Sequence, residues 1–187
     1  MRRRGRLLPT CRFLWKKDDR EATRGTAYHR AMELLPFSQI TSEEEVTRLL
    51  NQYTEEGKLA KEARDMIWPS DIYRFFTTKL GKRMQAAAQS GKLYKEKQFV
   101  MGIPAREMGD WDSDELVLIQ GIIDAWFEEE DGLILVDYKT DYVNDAQILV
   151  KRYKTQLDYY EKALTQMLGR NVKERYIYSY RLGLIAV

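Results

Sequence analysis

The sequence predicts an α/β layer fold: a mixed central sheet flanked by helices, with a helical portion ahead of it. Helical signals dominate up to Gly91, whereas from Leu93 onward the chain reads as strands, one long amphipathic helix and a closing strand. The 187 residues, 44% apolar and 32% charged, have the size and composition of one soluble domain with a core of its own.

Residues 1–22 read as a basic arm or linker edge, with Arg2, Arg3, Arg4, Arg6, Arg12, Lys16, Lys17 and Arg20 set against Asp18 and Asp19. The domain proper is expected over 23–187, its helical part over about 23–91. Thr23 to Thr26 supply capping residues for a helix to about Leu35, which Pro36 stops. Thr41-Ser42 followed by Glu43, Glu44 and Glu45 marks the next helix start, with acids in the first turn where the helix dipole favours them. Helices are expected over 43–54, 57–67 and 70–89, separated near Gly57 and Pro69.

A β-β-β-α-β core follows over about 93–187. Leu93–Met101 alternates as a strand, and residues 105–115 form an acidic loop. Val117–Phe127 and Leu133–Tyr138 are β-prone runs joined as a hairpin, with Asp131-Gly132 a favoured tight turn. Residues 145–168 form one amphipathic helix, its buried stripe marked by Ile148, Leu149, Leu157, Leu164 and Leu168. Glu174–Tyr180 is the closing strand.

Composition excludes several classes. Cys11 is the single cysteine, so neither an internal disulfide nor a four-cysteine iron–sulfur or zinc site is available, which fits a reducing, cytosolic setting. No apolar run reaches the ~20 residues of a membrane span. No G-x-x-x-x-G-K-[ST] phosphate loop is present, so the chain holds no ATP site of that kind. The net charge of +2 does not by itself argue for nucleic acid.

The hairpin carries the chemistry. Side chains alternate along a strand, so Leu133, Leu135, Asp137 and Lys139 share a face, as do Ile122, Asp124 and Trp126. With Asp131-Gly132 as the turn, Asp124 pairs with Lys139; with Glu130-Asp131, it pairs with Asp137. Either register gathers Asp124, Asp137 and Lys139 on one face, whereas an odd-length loop scatters them. Two adjacent, partly buried carboxylates call for a cation, and a hard ion such as Mg²⁺ prefers oxygen ligands. With a lysine two residues along, the set suits phosphodiester hydrolysis. The plain alternative is a surface Asp–Lys ion pair on an ordinary hairpin.

Four sequence stretches, in order, resemble a known family. Gly121-Ile122-Ile123-Asp124 with Asp137-Tyr138-Lys139 is similar to the D…(D/E)xK motif of the PD-(D/E)XK nuclease superfamily, and within it to the RecB-type branch. Gly25-Thr26-Ala27-Tyr28-His29 resembles that branch's G-x-x-x-H motif. Glu96-Lys97-Gln98-Phe99 resembles its E-x-P-F strand, with Gln98 in place of proline, and Gln156 to Tyr160 its Q-x-x-x-Y motif. Residues 24–35 and 136–141 look most like the nuclease domains of AddA-type (RexA) helicase–nuclease proteins.

The resemblance implies a restriction-endonuclease-like core, with Asp124, Asp137, Lys139 and Glu96 catalytic. It implies metal held by His29, Asp124, Asp137 and the Tyr138 carbonyl. Mg²⁺ is the expected ion; Mn²⁺ is a plausible substitute because imidazole suits it better. Gln156 and Tyr160 are expected at the DNA strand. Tyr153 shares their helix face, with packing an equal alternative, and Lys151 and Lys154 would add phosphate contacts. Glu33 either orients His29 or is a surface acid. Trp111 is a candidate stacking residue. The chain then reads as the nuclease portion of a longer bacterial, cytoplasmic helicase–nuclease. It would cut single-stranded DNA during double-strand-break processing, with the helicase part of its parent chain and an AddB/RexB-like protein as partners. A non-catalytic DNA-binding or scaffold module, and a hydrolase of some non-nucleic substrate, are the rival readings.

Overall fold

The structure, a computed structural model, describes residues 11–13, 23–108 and 112–187. Trp111 and, apart from residues 11–13, the basic segment 1–22 lie outside the described residues. The chain divides into two compact units, one of residues 1–16 and 98–122, the other of residues 17–97 and 123–187. Two long strands run from one into the other: β2 (Leu93–Pro104), which is longer than the sequence suggests, and β3 (Leu116–Glu129).

In the smaller unit Cys11–Phe13, expected to be irregular, forms a short strand, β1, paired parallel with β3 from Cys11↔Leu118 to Phe13↔Gln120. Phe99, Met101 and Ile103 on β2, with Val117 and Ile119 on β3, are buried at alternate positions as a one-sided strand requires. The loop after β2 opens with a 3₁₀ turn over Ala105–Met108.

The larger unit is built on antiparallel β3 and β4 (Gly132–Lys139), then parallel β5 (Val172–Ser179), then antiparallel β6 (Gly183–Ala186), a strand the sequence reading missed. On one face lie the helices that precede β2. Helix α1 (Arg24–Leu34) starts at Thr23, whose hydroxyl accepts from Thr26 N–H, and α2 (Glu43–Glu55) starts at Ser42, which caps Glu45 N–H. The expected helix 57–67 shrinks to α3 (Lys61–Asp65). Gly57, at φ 70, closes α2, and the next residue, Lys58, donates its N–H to Tyr53 O at 2.8 Å.

The single helix expected over 70–89 is two, α4 (Pro69–Thr77) and α5 (Lys79–Gln89). Thr78 turns extended between them and caps α5 by accepting from Gly81 N–H at 2.9 Å. Gly81 has no room for a side chain: a Cβ there would sit 2.2 Å from the Phe75 carbonyl oxygen.

Helix α6 (Ala146–Leu168) packs on β4 and β5. Its buried stripe is Leu149, Gln156, Leu157, Tyr160, Ala163 and Leu164. Ile148 and Leu168, expected in that stripe, stay exposed; Ile148 is one residue, about 100°, off the buried line, and Leu168 is in the last turn. Strand β4 is buried almost throughout. Its residues Ile134, Val136 and Tyr138 belong to the core built with α1–α5. Asp137 and Lys139, of opposite parity, share the other face with Leu133 and Leu135.

Candidate active site

The hairpin register settles which residues meet. Glu129 pairs with Gly132 and Trp126 with Leu135, so the two-residue turn is Glu130-Asp131 rather than Asp131-Gly132. One step past Ala125↔Val136, the same register sets Asp124 opposite Asp137. There Asp124 Oδ2 accepts from Tyr138 N–H at 2.9 Å, which locks the carboxylate to the neighbouring strand. The Tyr138 N–H is thus taken by Asp124, and the Tyr138 side chain belongs to the core.

Helix α1 brings His29 to this point. His29 Nδ1 lies 3.2 Å from Asp124 Oδ1 and 3.4 Å from Glu96 Oε1. His29, Glu96 and Asp124 each offer a ligand atom within 4.8 Å of the others, the spacing a single cation needs. Gly25 permits the approach of α1: a Cβ on it would lie 3.2 Å from Thr140 Oγ1, just past the end of β4. At the far end of α1, Lys95 Nζ donates to Met32 O at 3.0 Å and Leu35 O at 2.6 Å, closing open carbonyls of the last turn. Lys95 therefore fastens to α1 the strand that carries Glu96. Glu96 itself adopts φ 47, a region that non-glycine residues enter at a cost of about 1–3 kcal/mol and that clusters at functional sites.

Asp137 is fully buried, and neither carboxylate oxygen has an aligned hydrogen bond among the described residues. Lys139 Nζ stands 2.5 Å from its Oδ2 as an ion pair. Lys139 in turn lies 4.3 Å from the Tyr153 ring centroid, and the Tyr153 hydroxyl donates to the Asp141 carboxylate at 2.9 Å. Tyr153 thus covers the lysine from α6, and Asp141, just past the end of β4, holds the Tyr153 hydroxyl. Gln156 and Tyr160 sit inward on α6, both buried, with Gln156 Nε2 donating to Tyr160 Oη at 2.6 Å; Gln156 Oε1 has no hydrogen-bond partner among the described residues. Lys151 and Lys154 are exposed, and Lys154 pairs with Asp158 at 2.7 Å. Glu33 pairs with Arg30 at 2.7 Å.

The electrostatics follow from burial and crowding. Burial opposes charge on His29, but Asp124 and Glu96 more than offset it and raise the imidazolium to about 10. Asp124 is likewise buried, yet His29, Lys139 and the Tyr138 N–H hold it below the usual carboxylate range. Asp137 is pushed up by burial and by Asp124, against the pull of Lys139. Burial, then Asp124 and Asp137, raise the Tyr160 hydroxyl. Two neighbouring buried carboxylates, two carboxylate oxygens without an aligned hydrogen bond among the described residues and an adjacent imidazole nitrogen form a donor set that suits a divalent cation. The structure brings together His29, Glu96, Asp124, Asp137 and Lys139, the residues the sequence singled out. Sequence reasoning did not reveal Lys95 or Asp141, whose roles exist only across the fold.

A chain of this topology, with acids on paired strands and a lysine two residues after the second, belongs to the PD-(D/E)XK nuclease superfamily, whose family model matches residues 1–185. Its relatives narrow the resemblance further. It is 38% identical to the A-type subunit of an ATP-dependent helicase/nuclease of Lachnoclostridium phytofermentans, over 90% of this chain and 15% of that protein. It is 40% identical to the corresponding protein of a Clostridium botulinum strain, over 88% of this chain and 13% of that protein. The chain therefore spans only about an eighth to a seventh of the length of these relatives.

Proposed function

We propose that this chain hydrolyses phosphodiester bonds of single-stranded DNA with Mg²⁺, for which Mn²⁺ can substitute. It does so as the nuclease portion of an ATP-dependent helicase/nuclease that processes double-strand breaks for recombinational repair. The observation that carries this reading is the buried Asp137 carboxylate, without aligned hydrogen bonds among the described residues, beside Asp124 and in ion-pair contact with Lys139. Such an arrangement is costly unless a cation or a substrate completes it.

His29, Glu96 and Asp124 would hold the metal, with Asp137 and the Tyr138 carbonyl completing the set. Bound there, a divalent ion supplies a Lewis acid that polarises the phosphate and makes water a stronger acid. Lys139, held by Asp137 and the Tyr153 ring, presents its ammonium to the reacting phosphate and stabilises the charge that develops there. Exposed Lys151 and Lys154 meet the DNA backbone, a term that salt weakens. Gln156 and Tyr160, joined by their hydrogen bond on the inner face of α6, are the proposed contacts to the DNA strand near the acids. The proposed partners are a helicase portion of the same parent chain and an AddB/RexB-like protein, and the bacterial cytoplasm is the proposed setting. No helix among the described residues is long and apolar enough to cross a membrane.

The test is cleavage of an end-labelled single-stranded oligonucleotide with Mg²⁺, Mn²⁺ or EDTA, comparing the native chain with Asp137→Ala and Lys139→Ala. Metal-dependent cutting lost in both variants supports the reading. Cutting that survives both removes Asp137 and Lys139 from the reaction, and DNA binding without cutting favours a scaffold role.

A further inference from the structure

Just beyond the catalytic strand the chain leaves a large ring in water. Tyr142, three residues after Lys139, is 80% exposed. One of its faces is taken: the Arg181 guanidinium carbon lies 3.7 Å from the ring centroid, and Arg181 is held in place by donating to Asn144 Oδ1 at 2.5 Å. The other face has no partner among the described residues. Tyr142 and Arg181 line a cleft of about 240 Å³ together with Arg24, Arg74, Asp71 and Thr140.

The cleft gathers three guanidinium groups. Arg24 and Arg74 share one carboxylate, Asp71, at 3.1 and 3.4 Å, and each side chain remains about half exposed. Arg24 also donates to Tyr28 Oη and Arg74 to the Tyr180 carbonyl, but each uses a single terminal nitrogen for both of its bonds; each guanidinium has five N–H donors in a fixed fork, so others remain for a ligand. A second large aromatic, Trp68, is 67% exposed at the start of α4, the helix that supplies Asp71 and Arg74. Lys139 and Tyr142 are separated by at most ~10 Å of extended chain.

An exposed ring already backed by an arginine, beside further arginines with spare donors, is the chemistry that takes a nucleobase by stacking and its phosphate by charge-assisted hydrogen bonds. An acidic peptide would use the arginines but has no need of the ring. We propose that this cleft is a nucleotide subsite for single-stranded DNA next to the scissile position. The base stacks on the open face of Tyr142, and the adjoining phosphate is held by Arg24 and Arg74. The proposal rests on the nuclease reading for its ligand, and it assigns the direction in which the strand leaves the catalytic lysine: past Thr140 toward the turn between β5 and β6.

The experiment separates binding from cutting. Fluorescence anisotropy of a labelled oligo(dT) is recorded in EDTA for the native chain, Tyr142→Ala, Tyr142→Phe and Arg181→Gln, with folding checked by circular dichroism. Loss of one base–aromatic stack is expected to weaken binding about 10-fold in Tyr142→Ala. Tyr142→Phe, which keeps the π face, should stay within about 2-fold of native, a rescue not expected if the hydroxyl carried the contact. Arg181→Gln should fall between them, and polyglutamate should not compete. Equal binding by Tyr142→Ala and the native chain, no oligonucleotide binding at all, or efficient competition by polyglutamate would each overturn the subsite. If binding depends on Tyr142 but no metal supports cleavage, the subsite stands and the nuclease reading falls. If cleavage is intact and binding ignores Tyr142, the reverse holds.

Discussion

Replacing Gly81 by alanine sets helix propensity against packing at one atom. Propensity alone favours the change, since alanine is better than glycine in a helix interior by about 1 kcal/mol. Packing opposes it. The new Cβ would lie 2.2 Å from the Phe75 carbonyl oxygen and 2.9 Å from Phe76 Cα, both backbone atoms that cannot swing aside. Relief requires α5 to move away from α4, which weakens the 2.9 Å cap from Gly81 N–H to Thr78 Oγ1 and loosens the buried Phe75 and Phe76 rings. Overpacking of this kind costs roughly 1–3 kcal/mol or somewhat more, and a lost cap adds about 1 kcal/mol. The cap loss and the propensity gain roughly cancel, so the net expectation is a loss of about 1–3 kcal/mol, equivalent to a Tm lower by roughly 2–12 °C in a chain of this size. Urea denaturation followed by circular dichroism measures it, with Gly57→Ala as a control at a position of φ 70 and open space. A Gly81→Ala protein as stable as the native one, or more so, would refute the claim that close approach rather than flexibility selects this glycine.

The remaining expectations concern the site and its support. Lys139→Met should lower kcat by about 10²–10³ while oligonucleotide affinity in EDTA changes little, as for loss of a donor that acts on developing charge; an affinity loss as large as the rate loss would make Lys139 a binding residue instead. Tyr153→Phe keeps the ring beside Lys139 and should stay near native activity. Tyr153→Ala removes the cation–π contact and should cost about 10-fold in kcat with KM unchanged; equal defects in the two variants would shift the role to the hydroxyl. Acid stability should depend on Arg83, which donates to Glu129 at 2.8 Å and Glu174 at 2.6 Å. Arg83, then Lys173, holds Glu129 down at about 2 against an ordinary 4.5, so the folded state binds its proton less readily than the unfolded one. That contribution is complete above about pH 4.5 and is lost as pH falls toward 2, worth about 1–2 kcal/mol after allowing for solvent screening. Arg83→Met should flatten the fall in urea midpoint between pH 5 and 3; an unchanged slope would rule the network out.

Where local chemistry and burial agree, the sequence was legible. Thr23, Ser42 and Asp145 each cap the helix their position announces, and the β3–β4 hairpin carries its acids on the face that alternation requires. Turn composition favoured Asp131-Gly132, yet the turn is Glu130-Asp131, a slip of two-residue parity that left Asp124, Asp137 and Lys139 on one face. The break at Thr78 was hidden because Phe75 and Gly81 meet only in three dimensions. Strand β6 is four residues long, too short for alternation to stand out, and it is ordered by pairing with β5. Of the site, the motif residues could be read in advance. The left-handed backbone at Glu96 could not, because glutamate carries none of glycine's signal for it, and neither could the grip of Lys95 on the carbonyls of α1.

Strand β4 answers to two masters in strict alternation. At positions 134, 136 and 138 its side chains are held by the aromatic core, where the Tyr138 ring meets Phe75 edge-on at 5.7 Å, while Asp137 and Lys139 face the proposed site. A saturation scan along the strand should therefore sort by parity near its end, even positions failing in protein yield and positions 137 and 139 in turnover with yield preserved. The same interleaving makes turnover the earlier alarm. A substitution in the helical layer that tilts Tyr138 by a fraction of an ångström displaces both of its neighbours at once, so activity should fade on warming before the circular dichroism signal does.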